Sequence, residues 1–583
     1  ANPSGGDGDR PGPGGGAQVN ELLVSKGRVA IFGTEVEVSK PVAGDPSATQ
    51  AATSFMTVTF VDATDPAQPK VTDRVRVEGS LVSARLVGGE IRLVTTSNMA
   101  DLGFVMPTTP NSVSKALEQN RRSVASSTAP DWIPDWQRKG SAPEPLVPCE
   151  RVYVPDTFSG VAMTSMVTFP LGSGRFQPAG TSILAPATTL YAGLDKVAIS
   201  SEVWVDPIDR DRLEFKNWQT AIHEFSFADD APPTYAGSGL VDGSTVGQFA
   251  FGEIGGSLAV VTTKGTPWNQ NPTVGIDLTV LTPDGKGKLT QTAKIADLSN
   301  GKGEVTAVRF VEGRVLISTG LFGREVYVID VTKPTEPRRA GSVSLPGMVG
   351  YFHPLPDHQA LVIGSRNDQV GEGEKKQERS WVQAQLLDVS DADAPRVIGT
   401  WERPWVADQV GSDHHAFTYW PERKLGMWGL QNTQWELQDR ANEALVLSTD
   451  GGVEPVAVPV ASKPNETPSP CPAVAITDPE AEQMVGPGGV VLRCGDKALR
   501  EIDWPRYRCS YLDSQTAAQY APDESNAGAF FLCSPAPQPT VSRVLVVAGK
   551  PILLTDQTLE VLDPATFAST SVTYHPTTGG FVF

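Results

Sequence analysis

The stretch VRFVEGRVLISTG (308–320), followed by EVYVIDVTKPTEPRRAGSVSLPG (325–347), decides how this chain is built. It spells strand, glycine turn, strand, and then strand, Asp/Pro turn, strand. Gly313 sits where a tight hairpin needs positive φ. Proline after the Asp turn ends the third strand, because it has no N–H for a ladder and its φ is fixed. The alternation that resumes beyond it has a period of two, the mark of a strand with one solvated face.

Both halves of this stretch recur. The hairpin strand returns as GRVAIFG (27–33), GEIRLVTT (89–96), DKVAIS (195–200), GSLAVVTT (256–263), GRVLISTG (313–320), HQALVIGS (358–365), RKLGMWG (423–429) and KPILLTD (550–556). The Asp-turn strand returns at 58–79, 326–347 and 384–404. Degenerate copies lie at 222–243, 278–297, 444–452 and 559–576, and a weak one at 166–180. Four strands per copy make one propeller blade. The chain therefore predicts an all-β fold over 19–583: a β-propeller of eight four-stranded blades, or seven if the weak early copy merges with its neighbour. A repeat of roughly 55 residues overrides the several domains that 583 residues would otherwise suggest.

Two intervals run to about twice that repeat, and each must hold an insertion. The first, 101–155, contains SVSKALEQNRRSVASS (112–127), helical in composition, with Asn111 or Ser112 as its cap. DWIPDWQRKG (131–140) follows, and its Trp132 and Trp136 are expected to staple the excursion onto the strands. The second, 462–540, carries Cys471, Cys494, Cys509 and Cys533. Two disulfides there would close an otherwise unstructured loop, with the connectivity left open. Cys149 is left over, either buried and free or joined to that cluster. Such bridges persist in oxidising compartments.

Residues 1–18, ANPSGGDGDRPGPGGGAQ, read as a flexible Gly/Pro tether. They resemble the start of a chain whose leader has been removed, so an extracellular or cell-surface location is expected. The net charge of −19 argues against nucleic acid and anionic membrane surfaces as partners. No apolar run is long enough to span a bilayer as a helix.

Four segments resemble a known family: LEQNRRSVASSTAPDWIPDW (117–136), GYFHPLPDHQALVIG (350–364), DVSDADAPRVIG (388–399) and DHHAFTYWP (413–421). The family is that of bacterial and archaeal secreted proteins with a C-terminal β-propeller distantly related to WD40 repeats. The resemblance covers roughly 20–583 and implies a propeller and an extracytoplasmic location, but no particular reaction. The Gly/Pro tether stands where that family has an acidic entry sequence.

Candidate sites are few. Asp413, His414 and His353 sit at the entries of two adjacent hairpins, where a propeller gathers loops around its channel. They could bind a metal ion or transfer protons, or lock the repeat through backbone hydrogen bonds. His415, Trp132 and Trp136 are candidates for a ligand or partner surface. Trp401, Trp405, Trp420, Trp428 and Trp435 could stack on sugar rings or fill gaps between blades. Asp206, Asp209 and Asp211 lack the glycine of a calcium loop and read as a solvated turn, as do Asp229 and Asp230. The S-x-x-K match at Ser112–Lys115 lacks its partner motifs. Three functions remain open: a non-catalytic binding or scaffolding module with a protein or glycan partner, a structural subunit self-associating through residues 1–18, and an enzyme at the channel mouth.

Overall fold

The computed structural model describes residues 18–38, 52–98, 102, 104–105, 113–193, 195–203, 218–228, 231–265, 274–301, 303–320, 324–371, 373, 376–433, 442–460 and 539–574. It also gives the backbone of four strands between 473 and 535. The chain is all-β, with one α-helix among the described residues. It divides into two compact bodies, Ala1–Val305 with Asp330–Arg339, and Thr306–Ile329 with Ala340–Phe583.

In the first body, Gln18–Ser25, Arg28–Val38, Ala52–Asp62 and Lys70–Glu78 run up and down as one antiparallel sheet. The first insertion then adds to it. Asp135–Arg138 pairs with the Lys70–Glu78 strand, and Glu144–Pro145 pairs with Asp135–Arg138. Trp136 is thereby turned into the core, 8% exposed, edge-on to Phe176 at 5.2 Å. Phe169 meets both Phe176 and Phe60 edge-to-face, at 4.9 and 5.9 Å. Each such pair adds about 1 kcal/mol beyond its burial. Asp73 ties the same edge down, taking Arg138 Nε and Nη2 at 2.9 and 3.0 Å and the Phe176 N–H at 2.9 Å. Burial pulls the Asp73 carboxyl upward, but these donors more than offset it and hold the group below its ordinary range. The helix, Val113–Ser126, falls where its composition predicts, and its expected caps lie outside the described residues.

A second sheet orders Ser80–Val87, Glu90–Ser97, Met163–Pro170 and Ala179–Leu184, with Val152–Tyr153 added in parallel at its edge. Two further four-stranded sets follow: Thr189–Ala192 through Thr234–Asp242, and Phe251–Ile254 through Gly287–Ile295. They join through a short parallel pairing into one eight-stranded sheet.

The second body continues the pattern. Four strands from Val305–Val311 to Arg338–Ser344 form one sheet, and four from Met348–Leu355 to Arg396–Pro404 form the next. In the following sheet Leu425–Asn432, Glu443–Ser448 and Glu454–Ala457 lie in order, with Thr418–Trp420 and Val406–Ala407 both pairing with the first of them. The last orders Val541–Val547, Lys550–Thr555, Thr558–Leu562 and Ser569–Tyr574.

The cysteine-bearing insertion differs from its expectation. It is not an unstructured loop: Ala473–Val474, Val490–Arg493, Phe530–Pro535 and Tyr507–Leu512 form a four-stranded antiparallel sheet. Cys509 and Cys533 are Cα partners in it. Cys471 and Cys494 lie outside the described residues. Cys149 is free and exposed, neither buried nor joined to that cluster. It opens a single short 3₁₀ turn after Pro148, at the surface.

Strands end at the turn aspartates for a more local reason than proline alone. The carboxylates of Asp62, Asp330 and Asp388 accept the backbone N–H two residues on, from Thr64, Thr332 and Ser390, at 3.1, 3.0 and 3.0 Å. This Asx turn competes with the ladder for the backbone. One or two residues before that turn the register shifts, at Phe60/Val61, Leu386/Leu387 and Val561/Leu562 among others, so that a β-bulge sits at the same place in successive sheets.

Candidate ligand pocket and polar clusters

The eight-stranded sheet of the first body creates a site that the sequence reading did not identify. Its strands Gln219–Ser226 and Thr234–Asp242 are antiparallel, and His223 is the direct cross-strand partner of Ser238. Facing residues of such a pair can touch, and here His223 Nδ1 and Ser238 Oγ are 2.5 Å apart. The Tyr235 hydroxyl lies 2.6 Å from the same Ser238 oxygen. A chain of three polar groups thus crosses the sheet.

Two glycines allow the neighbouring set of strands to come close. Gly237 and Ser238 pair in parallel with Gly287 and Lys288. A Cβ on Gly237 would stand 2.8 Å from the Lys288 carbonyl carbon, and one on Gly239 would stand 2.7 Å from the Leu289 oxygen. Only glycine leaves room for that junction. The signal was present in the sequence as Gly237-Ser238-Gly239, inside a repeat otherwise noted only as degenerate.

The first insertion supplies the opposite wall. Arg151 anchors it, donating to Gly180 O at 3.0 Å and Pro233 O at 2.7 Å. Tyr153 then packs on Tyr235 with ring centroids 4.6 Å apart. Between the walls lies a cavity of about 530 Å³, lined by Tyr153, Val154, Pro155, His223, Ser238 and Leu240 among others. That volume is within the range of small-molecule sites. Lys286, Lys288 and Asp156 stand at its lining, with Lys288 Nζ 3.4 Å from Asp156.

The electrostatics follow from depth. His223 is fully buried, and desolvation lowers its pKa from 6.5 to about 4, so the imidazole is neutral at physiological pH. Burial raises Tyr235, which stays a phenol. Among the described residues His223 Nε2 has no hydrogen-bond partner. The set therefore offers hydroxyl groups to a ligand above a neutral ring, with two ammonium groups against one carboxylate at the lysine side.

The residues predicted as a metal or proton-transfer site, His353, Asp413 and His414, lie in the second body together with His415. Asp413 caps a 3₁₀ turn, His414–Ala416, by accepting the His415 N–H at 2.9 Å. One ligand atom from each of Asp413, His414 and His415 lies within 4.8 Å of the others. His353 is outside this group, which corrects the expected set of His353, Asp413 and His414. Its ring is packed between Phe417 and Tyr419, with centroids 4.9 Å from each. Burial first, and the Arg309 charge second, lower its pKa to about 4.

Three of the candidate tryptophans fill space, and Trp401 and Trp405 are half-buried. Trp428, Trp136 and Trp420 are 0, 8 and 9% exposed, so none presents a face to a sugar or partner. Trp132 is half-buried, its Nε1 donating to Ser127 Oγ at 2.9 Å and its ring edge-on to Phe104. Trp435, Asp206, Asp209, Asp211, Asp229 and Asp230 lie outside the described residues.

Comparison with known proteins gives a family and little beyond it. The family described as Beta propeller domain matches residues 11–456. Uncharacterized proteins of Methanocaldococcus jannaschii and Archaeoglobus fulgidus are each 28% identical, over 32% and 34% of this chain. The chain spans only 27% and 28% of the length of those relatives. Among solved structures, Citrobacter koseri AztD matches at 11% identity with a TM-score of 0.31, over 88% of this chain and 91% of its own. A hypothetical selenium-binding protein from Sulfolobus tokodaii matches at 13% identity with a TM-score of 0.26, over 62% and 78%. Likeness at that level says nothing about function.

Proposed function

The chain belongs to the β-propeller domain family, and on that premise we propose that it is a non-catalytic binding module whose ligand seat is the cavity over Tyr235–Leu240. The observation that carries this reading is the cavity of about 530 Å³ with Ser238, Tyr235 and His223 in its wall. Tyr153, Val154, Pro155, Ala221 and Leu240 add apolar surface to the wall, which suits a ligand with a flat apolar body. Lys286 and Lys288 suit an anionic group on that ligand, on a chain whose net charge of −19 otherwise repels anions.

Binding is favoured over turnover by what His223 lacks. A hydrolytic serine is served by a base that a third group orients. His223 Nε2 has no such partner. The ligand class is thus a small aromatic carboxylate. The test is a thermal-shift and calorimetric series with 4-hydroxybenzoate and related acids on the full chain. A saturable rise in Tm that disappears in the Lys286→Glu/Lys288→Glu variant supports the reading. Equal responses of the two proteins, or no response to any acid, would end it.

The finer architecture belongs to the same proposal. Eight four-stranded sets, each carrying the repeated hairpin and outer strand, support a count of eight blades. We place the molecule outside the cytoplasm or at the cell surface, tethered by residues 1–18, with a protein or glycan as a second partner of the module.

A further inference from the structure

We infer that Asp413, His414 and His415 form a binding site for a divalent transition-metal ion, with zinc as the reference ion. The inference concerns the second body and is independent of the cavity described above. It stands on three features of one turn.

The first is convergence. One ligand atom from each residue lies within 4.8 Å of the others, and the two imidazole centroids are 3.9 Å apart. A single ion at about 2.0–2.2 Å from each donor needs the donors within about 4.4 Å of one another, a spacing that small side-chain rotations reach from here.

The second is preorganisation. The turn is closed by the Asp413 N–H donating to Gln409 O at 2.7 Å and by the Ala416 N–H donating to Asp413 O at 3.0 Å. Ala416 and Phe417 just beyond it are buried at 3 and 7% exposure and pin it to the sheet. The donors are therefore held by backbone, while His415 itself is exposed and reachable from solvent.

The third is donor chemistry. Two imidazoles and one carboxylate suit zinc, nickel or copper rather than calcium or magnesium, and three protein ligands leave a further coordination position open. Arg543 Nη2 lies 3.9 Å from Asp413 Oδ2. It faces the carboxylate oxygen other than Oδ1, the one beside His415, and so competes with the ion for the group's charge.

Equilibrium dialysis and calorimetry with Zn²⁺ on the full chain test this, in a Cys149→Ser background that removes the exposed thiol. One ion per chain is expected. His415→Ala and His414→Ala each weaken binding by about tenfold or more. His358→Ala, a histidine elsewhere on the surface, leaves it unchanged. Arg543→Ala tightens binding, an effect that a merely structural turn would not produce. Co²⁺ substitution gives a spectrum without thiolate-to-metal charge transfer. Absence of stoichiometric binding, indifference to both histidine variants, or a thiolate band would each overturn the assignment.

Discussion

Two buried histidines should make this protein less stable in acid. His223 is enclosed between strands, and His353 lies among Tyr351, Phe417 and Tyr419. Each has a folded pKa of about 4, below its ordinary 6.5. In that window the unfolded chain binds a proton that the native chain does not, so the stability each contributes is complete above 6.5 and is lost as the pH falls toward 4. The effect is on the order of 3 kcal/mol per group. Replacing His353 by Phe keeps a ring in the aromatic cluster and removes its proton. The variant's Tm should fall less steeply than the parent's between pH 6.5 and 4; parallel curves would rule out this origin of the acid sensitivity. The turn aspartates act in the opposite direction of burial. Asp388, half-buried and held by the Ser390 hydroxyl and N–H and by Arg396, has its pKa lowered to about 2. Asp388→Ala should lower stability by roughly 1 kcal/mol in urea unfolding, as loss of a capping side chain does.

At the scale of elements, the junction of two strand sets depends on Gly237. Its neighbours across the junction are backbone atoms of Gly287 and Lys288, which cannot swing aside. Gly237→Ala should therefore cost about 1–3 kcal/mol in denaturant unfolding, as overpacking does. It should also weaken any ligand of the adjacent cavity, whereas Gly256→Ala, with nothing near its Cβ direction but a positive φ of 82°, should lower stability without touching binding. The inserted sheet carries a second element-scale expectation. Cys509 and Cys533 occupy directly opposed positions on adjacent antiparallel strands. Directly opposed residues of antiparallel strands have Cα atoms roughly 4.5–5.5 Å apart, within the Cα range a disulfide bridges. Non-reducing peptide mapping of the protein exported to an oxidising compartment should return a Cys509–Cys533 linked peptide. Recovery of both thiols free, or of either joined only to Cys471 or Cys494, would refute that pairing.

For the molecule as a whole, association is the open physical question, and residues 1–18 are its natural handle. Light scattering over a range of concentrations separates the tether from a self-associating arm. Concentration-dependent species that vanish when 1–17 are deleted would favour a structural subunit, and an unchanged monomer would favour the tethered module. A hairpin pattern with glycine at the turn and Asp closing the outer strand is a local instruction, so the all-β class and the antiparallel pairing of successive strands could be read from residues 308–347 and their copies, and the helix from the composition of 112–127. An interrupted repeat is visible as length, which is why two insertions are expected. What the strands do to each other across hundreds of residues could not be read in this way. His223 meets Ser238 through register, Trp136 enters the core because the insertion pairs with the Lys70–Glu78 strand, and His353 is enclosed by the rings of Phe417 and Tyr419. Local backbone preference writes the repeat, whereas contact between side chains distant in sequence is set only when sheets pack, and that packing alone made a pocket.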